Sequence, residues 1–553
     1  MFFRIKKSGS KEYLQIVESY REKSTASPRQ RVLVTLGRLD RLKEGGNLEA
    51  LLNSGSRFSE KLMVISAFKK GEATEVSTRK IGPSLIFERL WHELHIKDVL
   101  HKLLEGRHFE FDVERAVFMS VLHRVMISGS DRGCNKWRRD YRIEGCHHLQ
   151  LHHFYRAMQW LGQPLLDIDQ DNIVPFSPRC TKDIIEEKLF SRRRGLFTSL
   201  EIVFFDTTSI YFEGEGGYEL GRRGNSKDHR PDRKQLVVGA ILDNSGNPVS
   251  CEIWPGNTAD VKTLVPIVKR LRKRFNIGKV CIVSDRGMIS HEVVEWLESE
   301  KWPYIIGARM RSQNEVKNEV LSRGGRYQEV NLTRTSGSKE KKANLKVKEV
   351  LVGKTRYIVC LNETQAKKDA ADRKAIIEAL ESQLKQGAKS FVGNKGFRKY
   401  LKNPDNKFEI DSSKIESEAR YDGKWVLRTN TDLKSGDVAL RYKELWMVEH
   451  IFRSIKSVVE TRPVFHRSDE AIRGHIFCSF LALVMIKEIK NRLEIKELQF
   501  EWEDILQDLD ALEEIEIEQN GKRFLLRSKT KGCAGDVFKA IGVALPQTVK
   551  QIE

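Results

Sequence analysis

Two apolar runs that each end in an aspartate constrain this chain most. One reads Glu201-Ile-Val-Phe-Phe-Asp206-Thr-Thr, the other Lys279-Val-Cys-Ile-Val-Ser-Asp285-Arg-Gly. Short runs rich in β-branched and aromatic residues, bounded by turn formers, read as buried strands. Their surroundings complete a unit. The pattern predicts strands at 202–206, 235–242 and 248–253, with a glycine-rich loop up to Asp232 and a turn at Asp243-Asn-Ser-Gly-Asn247. A helix at about 259–275, a strand at 280–284, a helix at about 291–300 and a strand at 304–306 follow. The order is βββαβαβ. Parallel strands joined through a crossover helix can place both aspartates at the same end of one sheet. The predicted class is α/β with a mixed sheet.

The flanking regions read differently. Residues 1 to about 45 alternate as a small β meander within a β-rich region 1–80, and 81–196 carries helical periodicity. The first part of the α/β core spans 197–309. Residues 310–430 read as a β-rich insertion, with a hairpin in 346–360, a charged helix at 362–386 and a second hairpin turning at Asp422-Gly423. The core resumes over 431–500 with helices at 438–460 and 470–493. A C-terminal region, 501–553, has Gln519-Asn-Gly-Lys522 as a turn.

The formal charge of +20 favours a polyanionic partner, though it equally suits an ordinary basic protein. Basic runs such as Lys269-Arg-Leu-Arg-Lys-Arg274 are read as solvated faces before DNA contacts. The basic, aromatic stretch from Ser130 to Arg142 suits phosphate contact and stacking, and equally a helix surface. Eight scattered cysteines fit a reducing cytoplasm, with Cys251, Cys281, Cys360 and Cys478 as small core residues. Cys146-His147-His148 followed by His152-His153 lacks the usual zinc spacing and reads as a helical segment with partly buried histidines. The start lacks a secretory apolar region, and the longest apolar run, 476–486, is too short to span a bilayer. No membrane role is expected.

The chemistry lies in three acids. Carboxylates of Asp206 and Asp285 at strand tips would meet solvent on a rigid backbone. With Glu449, from a helical pattern over 442–456, they can hold two hard cations about 3.5–4 Å apart, the geometry for in-line attack on a phosphodiester. Such an all-carboxylate set suits Mg²⁺ or Mn²⁺. At about 100° per residue, Tyr442, Leu445, Glu449, Arg453 and Lys456 share one face, opposite Val448, Ile451, Ile455 and Val458. On that face the acid would bind metal while Tyr442, Arg453 and Lys456 hold phosphate oxygens of DNA. The plain alternative is an amphipathic helix with solvated charges.

The combination resembles bacterial insertion-sequence transposases of the DDE type with a β-rich insertion. Tyr442, Glu449 and Lys456 match the spacing of that family's helix motif, whereas Leu445 stands at its arginine position, a gap Arg441 or Arg453 would have to fill. Phe205-Asp-Thr-Thr-Ser209, Ser226-Lys-Asp-His-Arg-Pro-Asp232 and Ser284-Asp-Arg-Gly-Met288 match as well. The resemblance implies an RNase H-like core with Asp206, Asp285 and Glu449 as catalytic residues and metal ligands, two ions per site. It also implies double-stranded DNA ends with terminal inverted repeats and target DNA as partners, a homodimer on DNA, and cytoplasmic, nucleoid-associated work. Residues 81–196 are expected to bind the DNA end, and Trp425 is a candidate to stack on a base, with a core tryptophan as its alternative. Competing readings are an inactive DNA-binding regulator, a nuclease without strand transfer and, least favoured, a metal-free carboxylate hydrolase such as a glycosidase.

Overall fold

The computed structural model describes residues 2–20, 29–56, 74–166, 168, 170, 177–193, 201–275, 278–331, 342–386, 399–402, 408–457, 461, 463–519 and 522–552. They form two compact units.

The first unit comprises Met1–Leu85, Asp140–Arg142 and Phe500–Glu553. It opens with the expected antiparallel meander, strands Phe2–Ser8, Lys11–Tyr20 and Arg29–Arg38. Gly9 turns the first hairpin at φ +61°, a left-handed conformation that glycine adopts most readily. A second sheet pairs Thr74–Lys80 with the C-terminal strands Glu513–Gln519, Lys522–Arg527 and Val549–Ile552. Ile517, Phe524, Leu526 and Val549 form its core. Gln519 sits opposite Lys522, as a two-residue hairpin turn requires, and Asn520 and Gly521 lie outside the described residues.

The second unit, Ile86–Arg139 and Ile143–Gln499, carries the α/β core. Its strands are β1 (Ile202–Tyr211), β2 (Gln235–Leu242), β3 (Pro248–Pro255), β4 (Cys281–Ser284), β5 (Tyr304–Ala308), β6 (Gln328–Asn331), β7 (Lys342–Val352), β8 (Thr355–Leu361) and β9 (Lys424–Thr429). They make one nine-stranded sheet in the order β6-β7-β8-β9-β5-β4-β1-β2-β3. β1, β2 and β3 are an antiparallel meander; β4 lies parallel to β1, and β5 parallel to β4. This 3-2-1-4-5 arrangement follows the βββαβαβ order and is the RNase H-like core that the resemblance implied. Residues after β5 extend the same sheet, because β9 pairs antiparallel with β5 and the β7–β8 hairpin continues outward.

Helices α1 (Leu264–Phe275) and α2 (His291–Ser299) cover one face of this core. Leu264, Ile267, Val268 and Leu271 of α1 and Val293, Val294 and Leu297 of α2 pack on Val203, Phe205, Ile282 and Ile306. The apolar run 476–486 lies inside a long helix, α6 (Asp469–Ile495), buried all round. No described helix is long and apolar enough to cross a membrane.

Three expectations are corrected. The basic run at 269–274 is not all surface: Arg270 and the Arg274 side chain are buried. Arg274 meets Glu186 at 2.6 Å, Glu187 at 2.9 Å and Glu252 at 2.9 Å, and Arg270 meets Glu252 at 2.7 Å. A buried cation persists only when so paired, so this part of the run tethers the helix Thr181–Arg193 to β3 and α1. No hairpin turns at Asp422-Gly423, because helix α3 (Ser412–Ala419) precedes that turn into β9. The helix expected at 438–460 is two helices, α4 (Ser435–Lys443) and α5 (Trp446–Ser457). Between them the backbone tightens to three-residue steps, Leu445 N–H to Tyr442 O at 3.1 Å and Val448 N–H to Leu445 O at 3.0 Å. Leu445 is drawn into the core there.

Candidate active site

β1 and β4 run in parallel with Phe205 opposite Ser284. The next residue on each strand is an aspartate, so Asp206 and Asp285 leave this ladder side by side. Asp206 is not a strand tip, contrary to the expectation: β1 runs on to Tyr211, with Asp206 opposite Ala240 and Tyr211 opposite Gln235 of β2. The antiparallel partner outlasts the parallel one, and only the β4 edge opens at Asp206. Asp285 does lie at a strand tip, directly after Ser284, and the turn Arg286–Met288 begins directly after it.

Tyr442, near the end of α4, donates its hydroxyl to Asp285 Oδ1 at 3.0 Å. Burial, then the neighbouring Asp285, raises the phenol pKa strongly, so the proton stays on Tyr442 and the bond is donated to the carboxylate. Gly307 of β5 makes room for this approach; a Cβ there would meet Tyr442 Oη at 2.5 Å and the Arg286 amide nitrogen at 3.1 Å.

Asp206 is held by the Thr207 amide at 2.7 Å. Burial pushes its carboxyl up from 3.8 to about 6; Lys227 opposes that shift, and the negative charges of Asp285 and Asp260 add to it. Lys227 belongs to the loop between β1 and β2. Its ammonium bonds Thr207 O at 2.7 Å and Thr207 Oγ1 at 2.9 Å and pairs with Asp260 at 3.1 Å. Thr207 donates its hydroxyl to Asp260 Oδ1 at 2.7 Å. Three acceptors hold this lysine, which makes it a fixed positive charge beside Asp206.

The helix residues are placed differently. Glu449 and Arg453 are exposed on α5, while Val448 and Phe452 face inward. The carboxylates of Asp206, Asp285 and Glu449 do not close to within 4.8 Å of one another. Among the described residues that distance gathers only Asp131, His466 and His475. Lys456 bonds Asp228 at 2.7 Å, and the Asp228 side chain is 3% exposed. Leu445 is 6% exposed and fills core space. Of its possible substitutes, Arg441 pairs with Glu444 at 3.6 Å. Trp425 is half-buried in β9, opposite Cys360 of β8.

Asp206 and Asp285 suit a hard divalent cation. They are two adjacent carboxylates, one buried and resisting ionisation, and such a cation relieves both burial and repulsion. The family model of the transposase DDE domain matches residues 198–485, more than half of the chain and all of this site. The chain belongs to the DDE-domain transposases. The model of the IS1634 family transposase N-terminal domain matches residues 3–68, which include the β meander. Among solved structures, this transposase is similar to the piggyBac transposase synaptic complex with hairpin DNA, at 12% identity over 77% of this chain and 79% of that one, TM-score 0.37. It is also similar to the Mos1 transposase paired-end complex with left transposon end, at 13% identity over 36% of this chain and 60% of that one, TM-score 0.15. No curated protein matches the sequence. Membership in the DDE family implies DNA cleavage that depends on a divalent metal.

Sequence reasoning missed Lys227, Asp228 and Asp260. The first two lay within the matching stretch Ser226–Asp232, but their partners Thr207 and Lys456 are distant in sequence. Asp260 gave no signal beyond its place before α1.

Proposed function

We propose that this transposase cleaves DNA at the terminal inverted repeats of a mobile element and transfers the strands to target DNA, with Asp206, Asp285 and Glu449 as ligands of two Mg²⁺ or Mn²⁺ ions. The observation that carries the reading is the meeting of Asp206 and Asp285 at the edge of β1 and β4. When bound, the metal ions lower the pKa of the attacking water or 3′-hydroxyl and stabilise the leaving oxygen. Asp206 and Asp285 are the preorganised part of that set. Tyr442 fixes the rotamer of Asp285 through its hydrogen bond. Lys227 offsets the negative charge around Asp206 while the acids stand without metal. Glu449 completes the set from α5 by a shift of that helix towards the aspartates. Arg453 and Lys456 contact DNA phosphates; Lys456 does so while retaining Asp228, since abandoning a buried carboxylate costs several kcal/mol.

Residues 81–196 are assigned to the DNA ends, and the active species is a homodimer acting in the cytoplasm on nucleoid DNA. The strand Thr74–Lys80 needs its C-terminal partners, so end recognition is tested in the full chain. Full-length protein is mixed with duplexes ending in the element's repeats, with Mg²⁺, Mn²⁺ or chelator, and a supercoiled target. Metal-dependent nicking and joined products are expected, lost in Asp206→Asn, Asp285→Asn and Glu449→Gln with DNA binding kept. Nicking without joining would favour a nuclease, and binding without nicking an inactive regulator.

A further inference from the structure

β1 carries a second feature on the edge that opens at Asp206. The Phe212 amide donates to Lys234 on the β2 side, at 2.9 Å. Tyr211 O and the Glu213 amide therefore point to the opposite edge, and both bond Val464, at 3.2 and 3.0 Å. This is the edge that β4 occupies as far as Phe205. Between Ser284 and Val464 that edge of β1 has no strand partner among the described residues; the Lys227 side chain caps it at Thr207 O, and Asp206 lies at one end of the gap.

Phe465 stands at the other end. The residues on either side of it are anchored. Val464 is fully buried. His466 Nε2 lies 3.3 Å from Asp131 Oδ2 and 3.2 Å from His475 Nδ1, and His475 Nε2 lies 3.2 Å from Thr461 O. Arg124 reaches His475 Nδ1 at 2.9 Å and Asp131 at 3.5 Å. A guanidinium already on that nitrogen makes this cluster a polar clamp and a poor cation site. Held from both sides, Phe465 is nevertheless 63% exposed. One exposed ring is ordinary, but a ring pinned in solvent with other exposed aromatics and cations about it marks a contact surface.

Its neighbours indicate which one. Arg467 is exposed, Arg132 is exposed close to Tyr155, and Tyr155 stands edge-on to His466 at 5.8 Å and is itself 40% exposed. Tyr218 is 87% exposed on a loop fastened to Asp469 through the Glu219 and Leu220 amides, at 2.9 and 3.0 Å. Exposed aromatic rings among arginines are the chemistry that takes up nucleic acid, rings on base faces and cations on phosphates.

We infer that Phe465 is a DNA-contacting residue that stacks on a base of the bound end, away from the scissile phosphate along the open edge of β1. The inference rests on the reading that Asp206 and Asp285 mark the scissile phosphate. Asp206 to Phe212 is six residues of strand, roughly 20 Å at about 3.3 Å each, which equals about six nucleotides at roughly 3.4 Å per step.

The test uses the full chain and repeat-end duplexes carrying 2-aminopurine at each position about four to eight nucleotides from the scissile phosphate, on either side, without divalent cation so that no strand is cut. One position should change fluorescence with the wild type, lose the change with Phe465→Ala and regain it with Phe465→Trp. Phe465→Ala should bind roughly 10- to 100-fold more weakly, the size of one lost base–aromatic stack, with unchanged salt dependence. Phe465→Leu keeps apolar bulk and should not restore the signal. The inference is overturned if no position responds, if Phe465→Leu behaves as wild type, or if Phe465→Ala alters self-association and leaves DNA binding intact. Cleavage by Asp206→Asn, assayed separately with Mg²⁺, reports on the active-site reading alone; loss there with no Phe465 effect retires only the present inference.

Discussion

The aspartates and the glutamate of the candidate site are built by opposite means. Asp206 and Asp285 leave adjacent, buried, parallel strands whose register fixes their separation. Glu449 sits exposed on a twelve-residue helix that follows a tightened turn. A strand pair in mid-sheet cannot shift without breaking ladder bonds and core contacts, whereas a short helix packed against β1 and β2 can move as a unit. On the function proposed above, the metal-facing half of the site is rigid before DNA arrives and the other half is brought in. It also explains why the raised carboxyl lies on the strands: burial is what makes Asp206 both rigid and hard to ionise.

The sharpest way to break this contrast is to remove the acids one at a time. Asp206→Asn, Asp285→Asn and Glu449→Gln should each lower cleavage of a repeat-end duplex by more than about 10³-fold, since each removes charge from the developing transition state. Metal binding should then separate them. Without DNA, titration with Mn²⁺ should show weakened binding in both aspartate variants and near-normal binding in Glu449→Gln. Equal loss in all three would mean that Glu449 is already in place, and the contrast would fail.

A second test concerns Lys456, which the sequence assigned wholly to DNA. Its partner Asp228 is almost fully buried. Lys456→Ala should therefore destabilise the fold by about 1.5–3 kcal/mol, the usual worth of a hydrogen bond to a charged group. Lys456→Ala combined with Asp228→Asn should recover most of that loss in denaturant melts. A single variant as stable as wild type would return Lys456 to a purely DNA-facing role.

The legible and illegible parts of the site divide along the same line. Strand order, the parallel β1–β4 pair and the aspartates at one place were readable, because buried strands announce themselves in short apolar runs and crossover helices dictate parallel pairing. The extension of β1 to Tyr211 was missed because Thr207, Thr208 and Ser209 look like a turn until β2 covers them. The face shared by Tyr442 and Glu449 was drawn on a continuous helix, and an angular projection fails across the break at Leu445. Arg270 and Arg274 looked solvated because their carboxylate partners, Glu186 and Glu252, are far away in sequence. Each miss is a tertiary partner overriding a local pattern.

The rigid half should also leave a signature in the metal-free protein. Folded Asp206 takes up its proton near pH 6, against an ordinary 3.8. It therefore adds stability that is complete below about pH 3.8 and is lost as pH rises through 6. Asp206→Asn cannot lose it. The stability of Asp206→Asn relative to wild type should rise between pH 4 and pH 8 by on the order of 3 kcal/mol, from two pKa units at about 1.4 kcal/mol each. Chelated samples melted at both pH values measure it.

Tyr442 joins the two halves, as the α4 residue that touches a strand aspartate. Tyr442→Phe removes one hydrogen bond to a carboxylate and should cost about 1.5–3 kcal/mol in cleavage, roughly 10- to 100-fold, with DNA affinity nearly unchanged. A loss confined to binding would place Tyr442 on DNA instead of on Asp285.

The smallest expected effect falls on Arg453, the exposed cation of α5. If α5 swings towards the aspartates on DNA, Arg453 travels with Glu449 and meets one backbone phosphate. One phosphate contact changes the slope of log affinity against log salt by about 0.9, and at physiological ionic strength it amounts to about fivefold in affinity. Arg453→Ala should show both changes on repeat ends and on random duplex alike, because a phosphate carries no sequence. Its chelated melting behaviour should match the wild type, since an exposed side chain contributes little to the fold. Lys456→Ala makes the control on the neighbouring turn of the same helix: its dominant effect should be on stability, and that of Arg453→Ala on salt slope. An unchanged slope for Arg453→Ala, measured at four or more salt concentrations, would leave α5 as a solvated face and force Glu449 to reach the aspartates without help from the DNA backbone.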